Sequence, residues 1–326
     1  MRENKAVLMD IQELKKYFHL KREFFSGHLS LIRAVNGINL KIYEGETLGL
    51  VGESGCGKST LGRLITRLEK PTDGMILFEN ENIAGYSGDH LKQYRKRVQI
   101  IFQDPYASLN PRRTAGSTVA EPLRIFKVYE RQERKIQVIK LLEQVGLNKE
   151  HENRYPHEFS GGQRQRIGIA RAIALNPRLI IADEPVSALD VSIQAQILNL
   201  MKNLQKQYGL TYLFISHDLN VIRYMSDRIA VMYLGKIVEL LENNGLYHHP
   251  SHPYTVALMS AVPQYGAGKK NKRLKLEGDL PSPLHMPSGC TFHPRCPLKI
   301  KICEKDEPVL TDKGDGHFVA CHLYNG

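Results

Sequence analysis

Two hydrophobic patterns alternate along the first 240 residues, and the first of them predicts strands. Short, mainly apolar runs bounded by charged or turn-forming residues are typical of strands buried in a parallel sheet. Residues 36–46 and 75–78 are expected to form an antiparallel β-subdomain. Residues 229–239 alternate around Gly235-Lys236, which favours a hairpin. A buried parallel strand is predicted at residues 179–184, an apolar strand at 47–51 and a further β-rich run at 211–216.

The second pattern, with apolar residues three or four positions apart, predicts helices between those strands. Helices are expected at residues 58–68 and 164–175, each after a glycine-rich segment. A helix ending at Gly146 and an amphipathic helix after Asp190 are also expected. Strands alternating with helices indicate an α/β chain. The apolar faces of the last two helices comprise Ile136, Ile139, Leu142 and Val145 in the first and Ile193, Ile197, Leu200 and Leu204 in the second.

The regular periodicity ends near residue 243, where prolines, histidines and a basic tract replace it. A single short helical run follows, and residues 266–283 have the composition of an exposed linker to a small terminal module. Histidines at 248, 249 and 252 have no neighbouring carboxylate or thiol and are interpreted as structural. We therefore predict two parts, residues 1–242 and residues 243–326.

A phosphate-binding loop is predicted directly after the run at 47–51. The segment from Gly52 to Thr60 matches G-x-x-x-x-G-K-[ST] at every specified position. Glycines let backbone N–H groups close around phosphates, and the following helix adds the positive end of its dipole. The alternative is a glycine-rich turn that happens to precede a helix. The predicted nucleotide contacts are Gly52, Ser54, Gly55, Cys56, Gly57, Lys58 at the β- and γ-phosphates, Ser59 at Mg²⁺, and Thr60.

Two carboxylates end the apolar run at 179–184. A parallel strand delivers such acids at its C-terminal edge, where ligands of α/β proteins bind. Asp183 is predicted to bind Mg²⁺ and Glu184 to act as the general base on the attacking water. An acidic pair that merely closes a strand before Pro185 is the alternative.

A second anion-binding surface is predicted at Ser160, Gly161, Gly162 and Gln163, just before the helix at 164–175. Small residues and a helix N-terminus suit a phosphate group, and a Ser-Gly turn that only caps a helix is the alternative. One chain with two phosphate-facing surfaces suggests that two chains share nucleotide.

At this point the chain resembles the ATP-binding subunits of ABC transporters, whose signature motif normally reads L-S-G-G-Q; Phe159 replaces the leucine. The resemblance implies an α/β P-loop NTPase of the ABC ATPase fold, with an antiparallel β-subdomain, a helical signature subdomain near 105–165 and a small irregular C-terminal metal-binding extension. It also implies roles for four further residues. These are Gln103 (Q-loop, at Mg²⁺ and the membrane subunits), Asp190 (D-loop), His217 (at the γ-phosphate) and Tyr17 (stacked on adenine, with Phe18, Phe24 and Phe25 as rivals).

Charge and hydropathy change this picture little. The net charge is +11, but no aromatic-interleaved pattern points to nucleic acid, which is not expected as a partner. No apolar run approaches the ~18 residues that span a bilayer, and no signal-peptide region is recognisable. We therefore expect a peripheral protein at the cytoplasmic face of the cell membrane.

The segments His252-Pro253-Tyr254-Thr255, Gly278 to Pro283 and Phe102 to Pro111 are similar to oligopeptide and dipeptide importer ATPases, and to their F-type subunit in particular. This implies an ATPase that powers peptide import with a second ATPase subunit, two transmembrane permease subunits and, indirectly, an extracellular peptide-binding protein. A D-type heterodimer is expected and a homodimer stays open. The alternatives are import of another solute such as a nickel chelate, or a soluble ABC ATPase acting on ribosomes or DNA.

Four of the five cysteines lie in the last 37 residues. In a cytoplasmic chain, clustered thiols more often bind metal than form disulfides. Their intervals of five, six and seventeen residues leave a zinc site, an iron–sulfur cluster and unligated thiols open. The peptide-importer resemblance, in which this extension can carry a cluster, favours [4Fe–4S] with Zn²⁺ as the alternative. The predicted ligands are Cys290, Cys296, Cys303 and Cys321.

Overall fold

The structure is a computed structural model that describes residues 5–19, 31–261, 281, 282, 284 and 286–324. Its strands are β1 (Val7–His19), β2 (Leu31–Tyr43), β3 (Thr47–Val51), β4 (Asp73–Phe78), β5 (Glu81–Asn82), β6 (Val98–Ile101), β7 (Leu179–Asp183), β8 (Thr211–Ile215), β9 (Arg228–Tyr233), β10 (Lys236–Glu242), β11 (Thr311–Asp312) and β12 (Phe318–Val319).

The helices are α1 (Lys58–Ile65), α2 (Gly88–Arg97), α3 (Pro105–Ser108), α4 (Ala115–Ile125), α5 (Arg131–Gln144), α6 (Gly161–Ile173), α7 (Val191–Tyr208), α8 (Leu219–Met225), α9 (Asn243–His248) and α10 (Pro253–Ser260). Short 3₁₀ turns cover Lys149–Asn153, Pro156–Glu158, His293–Arg295 and Lys301–Glu304. Among the described residues, no helix is long and apolar enough to cross a bilayer.

The chain divides into two compact units. The first contains the described residues of Met1–Ala6, Tyr43–Thr47 and Gly85–Ile215. Its strands β6, β7 and β8 are parallel, with Ile101 opposite Ala182 and Asp183 opposite Ile215. β7 and β8 are buried along their whole length, which is why their sequences are continuous apolar runs. This order places the C-terminal ends of the three strands at one edge.

The second unit contains the described residues of Val7–Ile42, Leu48–Ala84 and Ser216–Gly326. One of its sheets has the order β2-β1-β4-β5, and β1 and β5 both run antiparallel to β4. This is the antiparallel arrangement predicted from the sequence. Elsewhere in the unit, β3 runs parallel to β9, and β9 and β10 form the predicted antiparallel hairpin. Its turn is Leu234-Gly235, where both φ angles are positive.

The terminal residues extend this second sheet. β12 pairs antiparallel with β10, and β11 pairs with β12. The side chain of Glu239 on β10 is fully buried and accepts hydrogen bonds from the backbone N–H groups of Ser251 and His252 and pairs with His317 Nε2 at 2.7 Å. The C-terminal extension is thus packed on the strand that precedes it. Of the predicted linker at 266–283, only residues 281 and 282 lie among the described residues.

Two details of the predicted helices were wrong. Of the predicted face near α5, Leu142 and Val145 are buried, whereas Ile136 is 55% exposed and Val138 is buried in its place. A period of exactly three drifts around a helix with 3.6 residues per turn, so the four predicted positions could not all share one buried stripe. On α7, Ile197 and Leu204 are buried as predicted, but the other buried residues are Leu198 and Met201 rather than Ile193 and Leu200.

Candidate nucleotide-binding site

The phosphate loop lies in the second unit, between β3 and α1. Two glycines are required by close approach: a Cβ at Gly52 would lie 2.1 Å from the carbonyl oxygen of Met232, and one at Gly57 would lie 2.1 Å from that of Ala34. Gly57 also has a φ of 108°, and it stands at the N-cap of α1 with no side-chain cap. The strand, turn and helix of a phosphate-binding loop are therefore present.

Lys58 is almost fully buried in this loop. Its Nζ donates to the carbonyl oxygens of Gly52 (2.8 Å) and Glu53 (3.0 Å) and lies 3.8 Å from Cys56 Sγ. Burial raises the pKa of the Cys56 thiol, so this cysteine stays neutral beside the ammonium. The loop thus folds around one cation. Ser59 and Thr60, on the first turn of α1, are half-buried.

The acidic edge lies in the first unit, where β7 ends. Asp183 is buried at the last position of β7, and Glu184 follows with a φ of 48°, which a residue with a side chain rarely adopts. Gln103, two residues beyond the end of neighbouring β6, donates from Nε2 to Glu184 Oε2 at 3.0 Å. The structure therefore brings two of the predicted catalytic residues together. The amide of Gln103 fixes one oxygen of the carboxylate that is predicted to act as base.

The signature segment begins α6 in the same unit. Ser160 is the N-cap, and its side chain and that of Gln163 cap each other's backbone: Gln163 N–H donates to Ser160 Oγ (3.3 Å) and Ser160 N–H donates to Gln163 Oε1 (3.0 Å). Phe159, which replaces the family's leucine, is buried with its ring 5.5 Å from that of His151. The substitution therefore alters packing and leaves the cap intact.

Leu189, beside the D-loop residue Asp190, and Ile193, in the first turn of α7, pack directly on this segment. A Cβ at Gly162 would lie 2.5 Å from Ile193 Cγ2, and one at Gly161 would lie 3.3 Å from Leu189 Cδ2. The two glycines have ordinary backbone angles, so they are needed here for space rather than for conformation. Asp190 is exposed at the N-cap of α7 and makes no side-chain cap.

Two further predicted residues belong to the second unit. His217 is exposed, two residues beyond the end of β8. Tyr17, near the end of β1, donates from its hydroxyl to Asn36 Oδ1 at 2.7 Å, and the Arg33 guanidinium lies 5.9 Å from its ring centroid. Its rival Phe18 has the Lys16 ammonium 4.8 Å from its ring. The other rivals, Phe24 and Phe25, lie outside the described residues.

None of the four terminal thiols forms a disulfide, and Cys290 is within electrostatic range of the other three. The N–H of Cys290 donates to the carbonyl oxygen of Cys303 at 2.9 Å. Burial raises the pKa of Cys290 to about 11, and negative charge on the other three thiols would raise it further. Burial also raises the pKa of Cys296 and Cys321. Among the described residues, however, no three His, Cys, Asp or Glu side chains are arranged as a metal-binding group.

Sequence reasoning missed the residues that hold the phosphate loop from outside. Arg295 and Tyr254 both contact Glu53, which the loop motif leaves unspecified. Arg295 lies 242 positions away along the chain. No periodic pattern can indicate a pair so far apart in sequence.

Comparison with known families and proteins agrees with this geometry. Residues 35–187 match the model of the ABC transporter family, and residues 238–303 match that of the oligopeptide/dipeptide transporter C-terminal region. The second match covers Cys290, Cys296 and Cys303 and ends before Cys321.

The similarity to known proteins extends over nearly the whole chain. The oligopeptide transport ATP-binding protein AppF of Bacillus subtilis is 53% identical over 99% of both chains. OppF of Escherichia coli, another oligopeptide transport ATP-binding protein, is 52% identical over 98% of this chain and 97% of its own. The dipeptide transport ATP-binding protein DppF of Haemophilus influenzae is 46% identical over 98% of both.

A solved structure with the same fold is the ATP-binding cassette MJ0796, a dimer in a post-hydrolysis state bound to ADP and phosphate. It is 33% identical with a TM-score of 0.64, over 72% of this chain and 98% of its own. The fold and the site define an ABC-type ATPase coupled to transport. More narrowly, the chain belongs to the family of oligopeptide and dipeptide transport ATP-binding proteins.

Proposed function

We propose that this chain hydrolyses ATP to power the import of di- or oligopeptides across the cell membrane. Near-full-length identity to AppF and OppF, both oligopeptide transport ATP-binding proteins, carries the proposal. The phosphate loop and the pairing of Gln103 with Glu184 support it from the structure. The chain acts as a peripheral subunit at the cytoplasmic face, in a dimer of ATPase subunits bound to two permease subunits. A D-type subunit is its proposed partner.

Within the cycle, the residues of this chain have distinct tasks. Lys58 and the N-terminus of α1 neutralise the phosphates, while Ser59, Gln103 and Asp183 bind Mg²⁺. Glu184 takes a proton from the attacking water, and the Gln103 amide keeps its carboxylate oriented. His217 holds the γ-phosphate, and Tyr17 stacks on adenine. Ser160 to Gln163 close over the nucleotide of the partner subunit, and Asp190 lies at that interface.

The transport role is tested by uptake of a labelled dipeptide, a labelled pentapeptide and a nickel chelate. Cells carry the chain as their only F-type subunit, either unaltered or as Lys58→Ala. We expect the unaltered chain to support uptake of at least one peptide and Lys58→Ala to abolish it. Peptide uptake that persists with Lys58→Ala, together with loss of nickel uptake, would favour the other solute.

We further propose that Cys290, Cys296, Cys303 and Cys321 hold a [4Fe–4S] cluster, with Zn²⁺ as the alternative. The proposal rests on residue chemistry: the four thiols form no disulfide, and four thiolates suit either group. In the described part of the chain they are not arranged as a metal-binding group, so binding would have to draw them together. A bound group would cross-link four segments of the extension and so stabilise it. Burial raises the thiol pKa values, but a coordinating metal stabilises the thiolate strongly. The thiols would therefore lose their protons on binding.

The test is elemental analysis of protein purified without oxygen. We expect about four irons and four sulfides per chain and a brown colour. Cys303→Ser should remove them, whereas Cys56→Ser, at the cysteine of the phosphate loop, should leave them unchanged. Stoichiometric zinc without iron would establish the alternative, and the absence of both metals would leave unligated thiols.

A further inference from the structure

One residue of the phosphate loop, Glu53, is held at both its backbone and its side chain. Its N–H donates to the hydroxyl oxygen of Tyr254 at 2.9 Å, and its carbonyl oxygen accepts from Lys58 Nζ at 3.0 Å. Its carboxylate accepts two hydrogen bonds from Arg295, Nη1 to Oε2 at 2.8 Å and Nη2 to Oε1 at 3.1 Å. Parallel paired bonds of this kind fix orientation as well as distance.

Both external partners of Glu53 come from the C-terminal extension. Tyr254 is the second residue of α10, and Arg295 ends the 3₁₀ turn between Cys290 and Cys296. A buried aromatic group joins them: the Tyr254 and Phe292 ring centroids are 5.5 Å apart, and both rings contact Tyr233, at 4.7 and 5.2 Å. All three rings are at most 1% exposed. The extension thus presents two polar groups to the loop from a rigid base.

The charge of Glu53 makes this contact relevant to nucleotide binding. A carboxylate in a loop that receives a triphosphate repels the ligand unless a cation balances it. The Arg295 side chain is 8% exposed and the Glu53 side chain 26%, so water screens the pair only partly. Arg295 therefore neutralises the one acidic side chain of the loop while it fixes the backbone beside Lys58.

Resting on the proposed function, we propose that Arg295 and Tyr254 are positioning residues for ATP binding, through which the C-terminal extension sets the affinity of the phosphate loop. A loop that populates its binding-competent conformation only part of the time has an apparent affinity reduced by that fraction. The two contacts keep that fraction high. Both residues act on the loop through Glu53, so we expect them to govern affinity and to leave the rate of the chemical step unchanged.

The experiment measures the Kd of Mg-ATP and kcat at saturating ATP on the full chain. Arg295→Met should raise Kd roughly ten- to hundredfold, and Tyr254→Phe roughly three- to tenfold. In both variants kcat should stay within about threefold of the unaltered chain. Tyr254→Phe removes one hydroxyl and keeps the ring in the aromatic group, so it tests the proposal even if Arg295→Met fails to fold.

Two further variants separate positioning from a purely structural role. Adding Glu53→Gln to Arg295→Met removes the unbalanced carboxylate and should recover most of the lost affinity, because deleting both partners costs less than deleting one. Glu307→Gln is the matched control: it breaks the ion pair of the extension with Lys236, which does not involve the loop, and should leave Kd unchanged.

An unchanged Kd in Tyr254→Phe and in folded Arg295→Met would overturn the proposal, as would a double variant no better than Arg295→Met. An equal rise of Kd in Glu307→Gln would also overturn it, since general loosening of the extension would then suffice. If the unaltered chain itself binds no Mg-ATP, the proposed function fails, and this proposal with it.

Discussion

The helices α1 and α6 both begin at a segment suited to phosphate, yet their N-termini differ. α1 begins after Gly57 with no side-chain cap, and the adjacent loop is closed around the Lys58 ammonium. α6 begins with a complete capping box between Ser160 and Gln163. No side chain caps the N-terminus of α1. At α6, by contrast, the side chains of Ser160 and Gln163 already cap the helix.

This difference indicates an order of events. A side-chain cap contributes about 1 kcal/mol to a helix, which a ligand must replace if it takes over the N–H groups. No cap has to be replaced at α1, so we expect nucleotide to bind first at the α1 N-terminus of each chain. At α6 the Ser160 Oγ already accepts from Gln163 N–H, so its O–H is the group that can donate to a phosphate, and we expect that contact when a second subunit delivers its nucleotide.

The largest expected effect tests whether Glu184, in the unit that contains α6, is the base for hydrolysis of the nucleotide bound at α1. Glu184→Gln keeps the shape of the side chain but removes the base, so kcat should fall by roughly 10²- to 10⁴-fold while the Kd of Mg-ATP changes little. Steady-state hydrolysis and equilibrium binding measure the two quantities. Asp104→Asn, at an exposed carboxylate one residue after Gln103, is the control and should hydrolyse normally. Hydrolysis near the unaltered rate in Glu184→Gln would remove Glu184 from the role of base.

A smaller effect, on the pH dependence of stability, is expected in the C-terminal extension, which contacts the phosphate loop before α1. The N-cap of α10 is His252, whose Nδ1 accepts from Tyr254 N–H at 3.1 Å. Burial lowers the pKa of His252 from 6.5 to about 4, and Glu239 opposes this only in part. The unfolded chain therefore binds more protons than the folded chain between these values. The free energy of unfolding should fall, by at most about 3 kcal/mol, as the pH drops from about 6.5 to about 4.

Urea unfolding at pH 7 and pH 5 measures this dependence. His252→Asn keeps an acceptor for the helix N-terminus and should flatten it, whereas His90→Asn, at an exposed position on α2, should not. An identical pH dependence in His252→Asn and the unaltered chain would contradict the assignment of the proton to His252.

The sequence predicted the α1 side well because its signals are local. β3 ends at Val51, α1 starts at Lys58 and the glycines between them are those that the backbone requires. β7 and the hairpin at Gly235 were equally predictable from a continuous apolar run and a strong turn. At α6, the sequence predicted a helix from residue 164, whereas it begins at Gly161, because the capping box of Ser160 and Gln163 went unrecognised.

What could not be predicted depends on contacts distant in sequence. The terminal part was expected to be a small module joined through an exposed linker. In the structure, β12 pairs with β10 and Arg295 binds Glu53 of the phosphate loop. Pairs of residues that are 71 to 242 positions apart, such as Lys236 with Glu307 and Glu53 with Arg295, leave no pattern in a single sequence. We now expect the extension to influence ATP affinity.

The most direct measurement of the two-surface claim compares Mg-ATP binding by Lys58→Ala and Ser160→Arg, each as an isolated full chain. Loss of the Lys58 ammonium should weaken binding by roughly 30- to 3000-fold, since truncating one partner of a close charge pair costs about 2–5 kcal/mol. Ser160→Arg should bind Mg-ATP with unaltered Kd, because α6 serves only the nucleotide of another subunit. Equal loss of Mg-ATP binding in both variants, or no loss in Lys58→Ala, would contradict the claim that the two surfaces serve different nucleotides.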